Sequence, residues 1–256
     1  MTDIDKAAVL DRIVAIARDA GVVIMPYYDG DPIVGDKYDG SPVTAADQAA
    51  EALIVPALKE LTPDIPVVAE ESVAAGNIPD VSGGLFWLVD PLDGTKEFIK
   101  KRGDFTVNIG LVENGVPVLG VVLTPVNGMA WAGTVGDGAW EEDAAGNRKP
   151  IAVRKADPEA LTIVASKSHR NPELEAYIDS LPVKESVSRG SALKFCLVAR
   201  GEADVYPRTG PTMEWDTAAG HAVLLAAGGS LTTFDGKPFL YNKPEFRNGF
   251  FIARGQ

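Results

Sequence analysis

Residues 85 to 89 read LFWLV, an unbroken apolar run, and the ten that follow, DPLDGTKEFI, turn abruptly polar. A run of this kind predicts a strand buried on both faces, and Pro91 with Gly94 predicts a turn where it ends. Asp90 and Asp93 sit in that turn. Earlier in the chain, Val9, Leu10, Ile13, Ile16 and Ala17 recur at helical intervals and predict a helix from about Asp5 to Tyr28, bent near its end by Pro26. AADQAAEALIVPALKEL predicts a second helix, capped by Thr44 and kinked at Pro56. IPVVAEES predicts a short buried strand running into Glu70 and Glu71.

From Phe105 to Val153 the period shortens: β-branched runs alternate with the turn triplets ENG, VNG, GDG and AGN, the pattern of an antiparallel meander. Beyond it, LTIVASKS predicts a strand, while NPELEAYIDSL, GSALKFCLVARGEA and WDTAAGHAVLLAAGG predict helices. SLTTF and GFFIAR predict two closing strands. A strand-rich middle followed by alternating elements predicts a layered α/β (α+β) protein. A soft boundary near residue 150 divides it into closely packed halves, 1–150 and 151–256.

Composition narrows the function. With 46% hydrophobic and 23% charged residues the chain has the balance of a globular protein, and it contains no apolar stretch of membrane-spanning length. Its first residues mix acids into a helical repeat, so no secretory signal is expected. The single cysteine, Cys196, cannot form an intramolecular disulfide and fits a reducing, cytoplasmic setting as a small buried residue. A net charge of −12 argues against nucleic-acid polymers and anionic membranes as partners. An anionic small molecule must then be met locally, by a few cations or by metal ions. Only His169 and His221 are present, which disfavours a histidine-built zinc site, whereas carboxylate oxygens suit hard ions such as Mg2+.

Three acidic stretches stand out: EES at 70 to 72, DPLDGT at 90 to 95, and Asp216 in EWDTAAGH. Each alone has a plain structural role, as a solvated strand end, a turn, or a helix cap for Asp216. Together they read differently, because Asp90 at the end of an apolar strand is expected to be partly buried, where a lone carboxylate needs a cation. Paired divalent ions bridged by carboxylates serve in-line phosphoryl displacement. In this turn the Leu92 carbonyl offers a further oxygen, and Gly94 with Thr95 opens a helix towards a phosphate.

DPLDGT, with VAEES before it and WDTAAGHAVLLAAGG far downstream, resembles the inositol monophosphatase superfamily of lithium-sensitive, Mg2+-dependent phosphatases. The resemblance spans nearly the whole chain. YDGSPVTAADQAAE, DFTVNIGLVENG, GSALKFCLVARGEADVYPR and GPTMEWDTAAGHAV look like its 3'(2'),5'-bisphosphate nucleotidase branch, which converts adenosine 3',5'-bisphosphate to AMP and phosphate and supports sulfate assimilation. The resemblance implies an α-β-α-β-α sandwich and two or three Mg2+ ions. It implies that Glu70, Asp90 and the Leu92 carbonyl hold one ion, and that Asp90, Asp93 and Asp216 hold a second. Asp47 and Thr95 match the pair that orients and deprotonates the attacking water. Gly94, Thr95, His169, Ser191, Lys194 and Arg208 match the substrate contacts. Read from residue pattern alone, Lys194 also fits a solvated helix face, Arg208 a surface cation, and His221 a structural residue.

Two other readings stay open at this level. One is the same metal chemistry on another substrate, such as inositol monophosphate or fructose 1,6-bisphosphate. The other is a non-catalytic module that binds Mg2+ or a phosphorylated ligand, against which the pair Asp47 and Thr95 counts. A covalent aspartyl-phosphate route fits poorly, since the DxD it wants near the chain start would close an apolar strand, whereas DID at 3–5 runs into the first predicted helix. Monomer and homodimer are equally compatible with the sequence.

Overall fold

The computed structural model describes residues 5–30, 34–36, 42–166 and 171–256, without the side chains of 34–36 and 42–44. The first helix, α1 (Lys6–Asp29), starts at Asp5, whose carboxylate caps it by accepting from the Ala7 and Ala8 amides. A two-stranded ribbon, β1 (Val34–Asp36) and β2 (Pro42–Thr44), leads into α2 (Ala45–Leu61). The Thr44 cap expected from sequence falls on a side chain outside the described set. β3 (Val67–Ala69) is followed directly by a short helix, α3 (Glu70–Ala74), so Glu70 and Glu71 open a helix rather than trail from a strand end.

β4 (Leu85–Asp93) carries the LFWLV run and continues past it. It does not stop at Asp90. Asp90 lies opposite Asn108 and Asp93 opposite Thr106, so β4 has one residue more than its partner there and forms a bulge. Pro91, with no amide hydrogen to donate, is accommodated by that irregularity. After α4 (Thr95–Ile99) come β5 (Thr106–Glu113), β6 (Val116–Thr124), β7 (Met129–Thr134), β8 (Gly138–Glu142) and β9 (Arg148–Ile151), the expected meander. They complete a seven-stranded sheet in the order β3-β4-β5-β6-β7-β8-β9.

The rest of the chain contributes β10 (Leu161–Ala165), α5 (Pro172–Asp179), β11 (Val183–Ser188), α6 (Leu193–Ala199), β12 (Val205–Arg208), α7 (Glu214–Ala226), β13 (Ser230–Thr233) and β14 (Phe251–Arg254). Its strands form a five-stranded sheet in the order β11-β10-β12-β14-β13. β11 has no counterpart in the sequence reading. Its residues, VKESVS, lie on an edge with no buried position, so no apolar run marks them.

The two faces of the large sheet separate by parity. Val67, Ala69, Trp87 and Val89 join Ile13, Ala17, Ala50 and Ile54 of α1 and α2 in one core. Val68, Phe86 and Leu88 point the other way, into a core built with Phe195 and Cys196 of α6, Ala218 and Val223 of α7, and Tyr206, Leu231 and Phe251 of the small sheet. A third cluster joins Leu161, Ile163 and Ile252 to Leu174 and Ile178 of α5. The layers therefore run α1/α2, large sheet, α6/α7, small sheet, α5, which is the α-β-α-β-α sandwich.

What seats α7 on the large sheet is an absence of side chains. Gly110, Gly120 and Gly133 lie opposite one another on β5, β6 and β7. A Cβ on Gly120 would come within 2.9 Å of the Ala219 Cα and carbonyl oxygen, and one on Gly133 within 2.6 Å of the Ala226 Cβ. On the far side of α7, Gly220 admits the Phe195 ring, which would lie 2.5 Å from a Cβ there. The helix is thus clamped at close range, with its first turn aimed at the end of β4.

Candidate active site

Side-chain parity puts Asp90 on the same face as Phe86 and Leu88, towards α7, and only 2% exposed. Its Oδ1 accepts from the Leu92 amide at 3.0 Å across the bulge. Asp93 leans to the same end, where Asn108 Nδ2 donates to its Oδ2 at 3.4 Å. Asp216 comes from the first turn of α7 and accepts from the Met213 amide at 2.8 Å. The capping role open to Asp216 on sequence grounds is real, and the same residue lies beside Asp93 and Glu70. Asp47, fully buried on α2, lies with Glu70 and Glu71 so that one carboxylate oxygen of each is within 4.8 Å of the others.

The electrostatics of this arrangement are unfavourable as they stand. Burial first, then the charges of Glu70, Asp93, Asp216 and Asp47, raises the Asp90 carboxyl well above the ordinary range. Burial pushes Asp93 up to about 6, against the opposing pull of Lys194. Asp216 is pushed up to about 8, again by burial and then by Asp93 and Glu70. Among the described residues no lysine or arginine forms an ion pair with Asp90, Asp93 or Asp216. A buried set of mutually repelling carboxylates with oxygen donors only is what a hard divalent cation stabilises, and these residues fit one.

Across from the acids lies a cavity of about 220 Å³ lined by Asp93, Gly94, Thr95, Ser191, Lys194, Arg208 and Asp216, with Ser166, Tyr206, Thr212 and Thr217. Gly94 turns the chain at φ +95, and a Cβ there would crowd the Asp104 carbonyl at 3.1 Å and the Phe105 Cα at 3.2 Å. The Thr95 hydroxyl donates to the Leu92 carbonyl at 3.5 Å. Of the cations, Lys194 is 4% and Arg208 7% exposed, so neither is the solvated surface residue that the pattern alone allowed. Burial lowers Lys194 to about 8, with Asp93 pulling it back up. Its ammonium donates to the Ser191 carbonyl and lies 5.2 Å from the centroid of the Tyr206 ring.

Ser191 itself has φ 48, a left-handed conformation sparse for serine and frequent at functional sites. Its hydroxyl, like the Arg208 Nε, is buried without a hydrogen-bond partner among the described residues. The Arg208 guanidinium lies beside Gly210, at 3.4 Å from where a Cβ would stand. His169 lies outside the described residues. His221 bonds Tyr241 at 3.1 Å and is lowered to about 3 by burial, as befits a structural imidazole. Burial raises the Cys196 thiol, which is an inert core group.

Three contributors were not singled out from sequence. Tyr206 and Ser166 begin YPR and SKSH, stretches that resemble the family's nucleotide-contacting segments, but neither residue stands out within them and only the fold turns both towards the cavity. Glu51 reads as one more polar position on α2, although its place four residues after Asp47 put both on one helical face. Its carboxylate accepts from the Glu71 and Ser72 amides, each at 2.7 Å.

The chain has near relatives among known proteins. The chain is 50% identical over 248 residues to a 3'(2'),5'-bisphosphate nucleotidase CysQ of Escherichia coli O6:H1, an alignment covering 95% of this chain and 99% of that one. The crystal structure of CysQ from Bacteroides thetaiotaomicron, described as a bacterial member of the inositol monophosphatase family, superimposes with a TM-score of 0.81 at 40% identity, over 96% of this chain and 97% of the other. An inositol monophosphatase from Anabaena (Nostoc) sp. PCC 7120 gives 0.78 at 28% identity, over 98% and 92%. The model of the inositol monophosphatase family matches residues 5–249, which takes in every acidic stretch gathered around Asp90. This chain, with its acids converging between two sheets, belongs to the inositol monophosphatase family.

Proposed function

We propose that the protein is a metal-dependent phosphomonoesterase that removes the 3'-phosphate of adenosine 3',5'-bisphosphate, giving AMP and phosphate, with Mg2+ as its ion. Its half-identity to 3'(2'),5'-bisphosphate nucleotidases over nearly the full chain supports this activity. The observation that carries the reading is the meeting, in one cavity, of Asp93 and Asp216 with two buried cations, Lys194 and Arg208. In a chain of net charge −12 an anionic substrate has to be met by local cations such as these.

Glu70, Asp90 and the Leu92 carbonyl are the residues for one Mg2+, and Asp90, Asp93 and Asp216 for a second. When bound, such ions acidify a water and neutralise charge developing on the departing oxygen. The chain does the rest. For the reaction the Thr95 hydroxyl would leave its long bond to the Leu92 carbonyl, donate to the Asp47 carboxylate and accept from the attacking water, so that the proton passes towards Asp47, which is fully buried on its helix. Lys194 and Arg208 supply charge-assisted hydrogen bonds to phosphate oxygens, and the unpartnered Ser191 hydroxyl and Arg208 Nε are donors ready for them. Gly94 lets the backbone approach closely, because no side chain stands between it and Phe105.

Phosphate release from adenosine 3',5'-bisphosphate, inositol 1-phosphate, fructose 1,6-bisphosphate and AMP, each with Mg2+ and with chelator, tests the proposal. Strong preference for the first, abolished by chelator, is expected. Preference for inositol 1-phosphate would keep the metal chemistry and overturn the nucleotide reading, and no release from any of them would overturn both.

A further inference from the structure

The helix that opens with Glu70 is capped from a distance. α3 is five residues long, and Ala69 before it offers no side chain to its first amides. Those amides are taken instead by Glu51 of α2: Oε2 accepts from the Glu71 amide at 2.7 Å, and Oε1 accepts from the Ser72 amide at 2.7 Å and from the Ser72 hydroxyl at 2.5 Å. Both carboxylate oxygens are committed, and Glu51 is 6% exposed. The other end of the segment is tied by the parallel pairing of Ala69 with Val89. The turn carrying Glu70 and Glu71 is therefore gripped from both sides.

We propose that Glu51 is a positioning residue for the acidic cluster, holding Glu70 and Glu71 against Asp47 so that a divalent cation finds its carboxylates already assembled. The proposal rests on reading that cluster as a cation centre. A local cap would serve α3 equally well as a helix, and a serine or aspartate at position 69 would provide it. The chain reaches instead from α2, one turn along from Asp47 on the same face. One rigid helix thus sets the location of Asp47 and of the segment bearing Glu70. Three like charges within 4.8 Å repel one another, and a two-point grip on the backbone resists that repulsion where a single bond would let the segment pivot. Glutamine cannot replace it, since its amide keeps one acceptor oxygen and turns a donor towards the backbone N–H groups.

The experiment measures Mn2+ binding to the full chain, by calorimetry and by the spin-resonance signal of free Mn2+, for wild type, Glu51→Gln and Asp204→Asn. Asp204 is a buried carboxylate far along the chain, bonded to Arg154 and the Thr162 amide, and serves as the purely structural comparison. Glu51→Gln is expected to weaken Mn2+ by about 10- to 100-fold, the usual effect of losing a group that orients a ligand. Its activity should recover as Mg2+ is raised, with KM for substrate little changed. Asp204→Asn should lower Tm and leave Mn2+ affinity alone. A Glu51→Gln protein that loses Tm but binds Mn2+ as wild type does would overturn the proposal. Should that variant fail to fold, Glu51→Asp takes its place, since it keeps the charge but is one methylene too short to hold both the Glu71 and Ser72 amides, and unchanged Mn2+ affinity there would overturn it too. Wild type that binds no Mn2+ would refute the cation-centre reading itself, a result distinct from either.

Discussion

Adding one methyl group on the far side of the large sheet from α1 should reach the candidate catalytic centre. Gly120→Ala places a Cβ 2.9 Å from the Ala219 Cα and carbonyl oxygen, where carbon contacts normally lie at about 3.5 to 4.0 Å. The obstructing atoms are helix backbone, so no side chain can swing aside, and α7 must lift by about 0.6 Å or more. Ala219 lies one turn after Asp216 in a continuous helix, so the carboxylate moves with it. Mg2+ demands near-ideal geometry, and metal–ligand distances tolerate only about 0.2 Å. Overpacking of this kind costs about 1 to 3 kcal/mol. For a chain of this size that lowers Tm by about 2 to 12 °C. Thermal unfolding with chelator and with Mg2+, together with the Mg2+ dependence of phosphate release, reads both effects. The variant should be less stable and should need roughly tenfold more Mg2+ for half-activation, an effect comparable to losing a group that orients a ligand. Gly83→Ala, whose Cβ meets nothing within 4 Å, should do neither. Wild-type Tm and wild-type Mg2+ dependence in Gly120→Ala would refute the claim that the glycine groove sets the position of Asp216.

Two further outcomes follow from the electrostatics. In the metal-free protein, Asp93 and Asp216 have folded values of about 6 and about 8, above those of an unfolded carboxylate, so the folded chain holds protons that the unfolded chain gives up. Their contribution to stability is therefore present at low pH and is lost as pH rises from about 4 to about 8; Tm in chelator should fall over that range, Mg2+ should abolish the fall, and a fall of equal size with Mg2+ present would contradict the reasoning. Lys194→Met and Arg208→Met should each raise KM for adenosine 3',5'-bisphosphate by about 10- to 100-fold, the worth of one charge-assisted hydrogen bond, with a smaller effect on a monophosphate. Methionine suits the apolar contacts of both buried stems, so Tm should change little, and equal losses on both kinds of substrate would contradict the expectation that these two cations serve the second phosphate of a bisphosphate.

Much of the architecture was legible because local chemistry and burial agree. The apolar period of α1, the turn triplets of the meander and the glycines closing α7 each act within a few residues, and the structure follows them. So does the acidic constellation, since an aspartate placed at the end of an apolar run advertises an unusual burial. Reading failed where position is decided by a neighbour far along the chain. β11 has no apolar face because it is an edge, and its pairing with β10 is visible only in the sheet. The bulge at Asp90 depends on how β5 lies alongside it, so the sequence suggested a strand end where the strand in fact continues.

The sequence by itself determined most of the elements and the stretches that carry the acids, because hydrophobic period is a property of contiguous residues, and the family and its layer order followed from the resemblance that runs such as DPLDGT carry. Which carboxylates meet, and what else faces them, only the tertiary structure decided. Lys194 and Arg208 could have been surface cations. They are buried because α6 and β12 are pressed against the cavity by the packing of Phe195, Tyr206 and Phe251. Glu51 could have been a solvated helical position, and it is a buried clamp because β3 ends beneath α2. Charge is written in composition, whereas its desolvation is a property of the assembled fold.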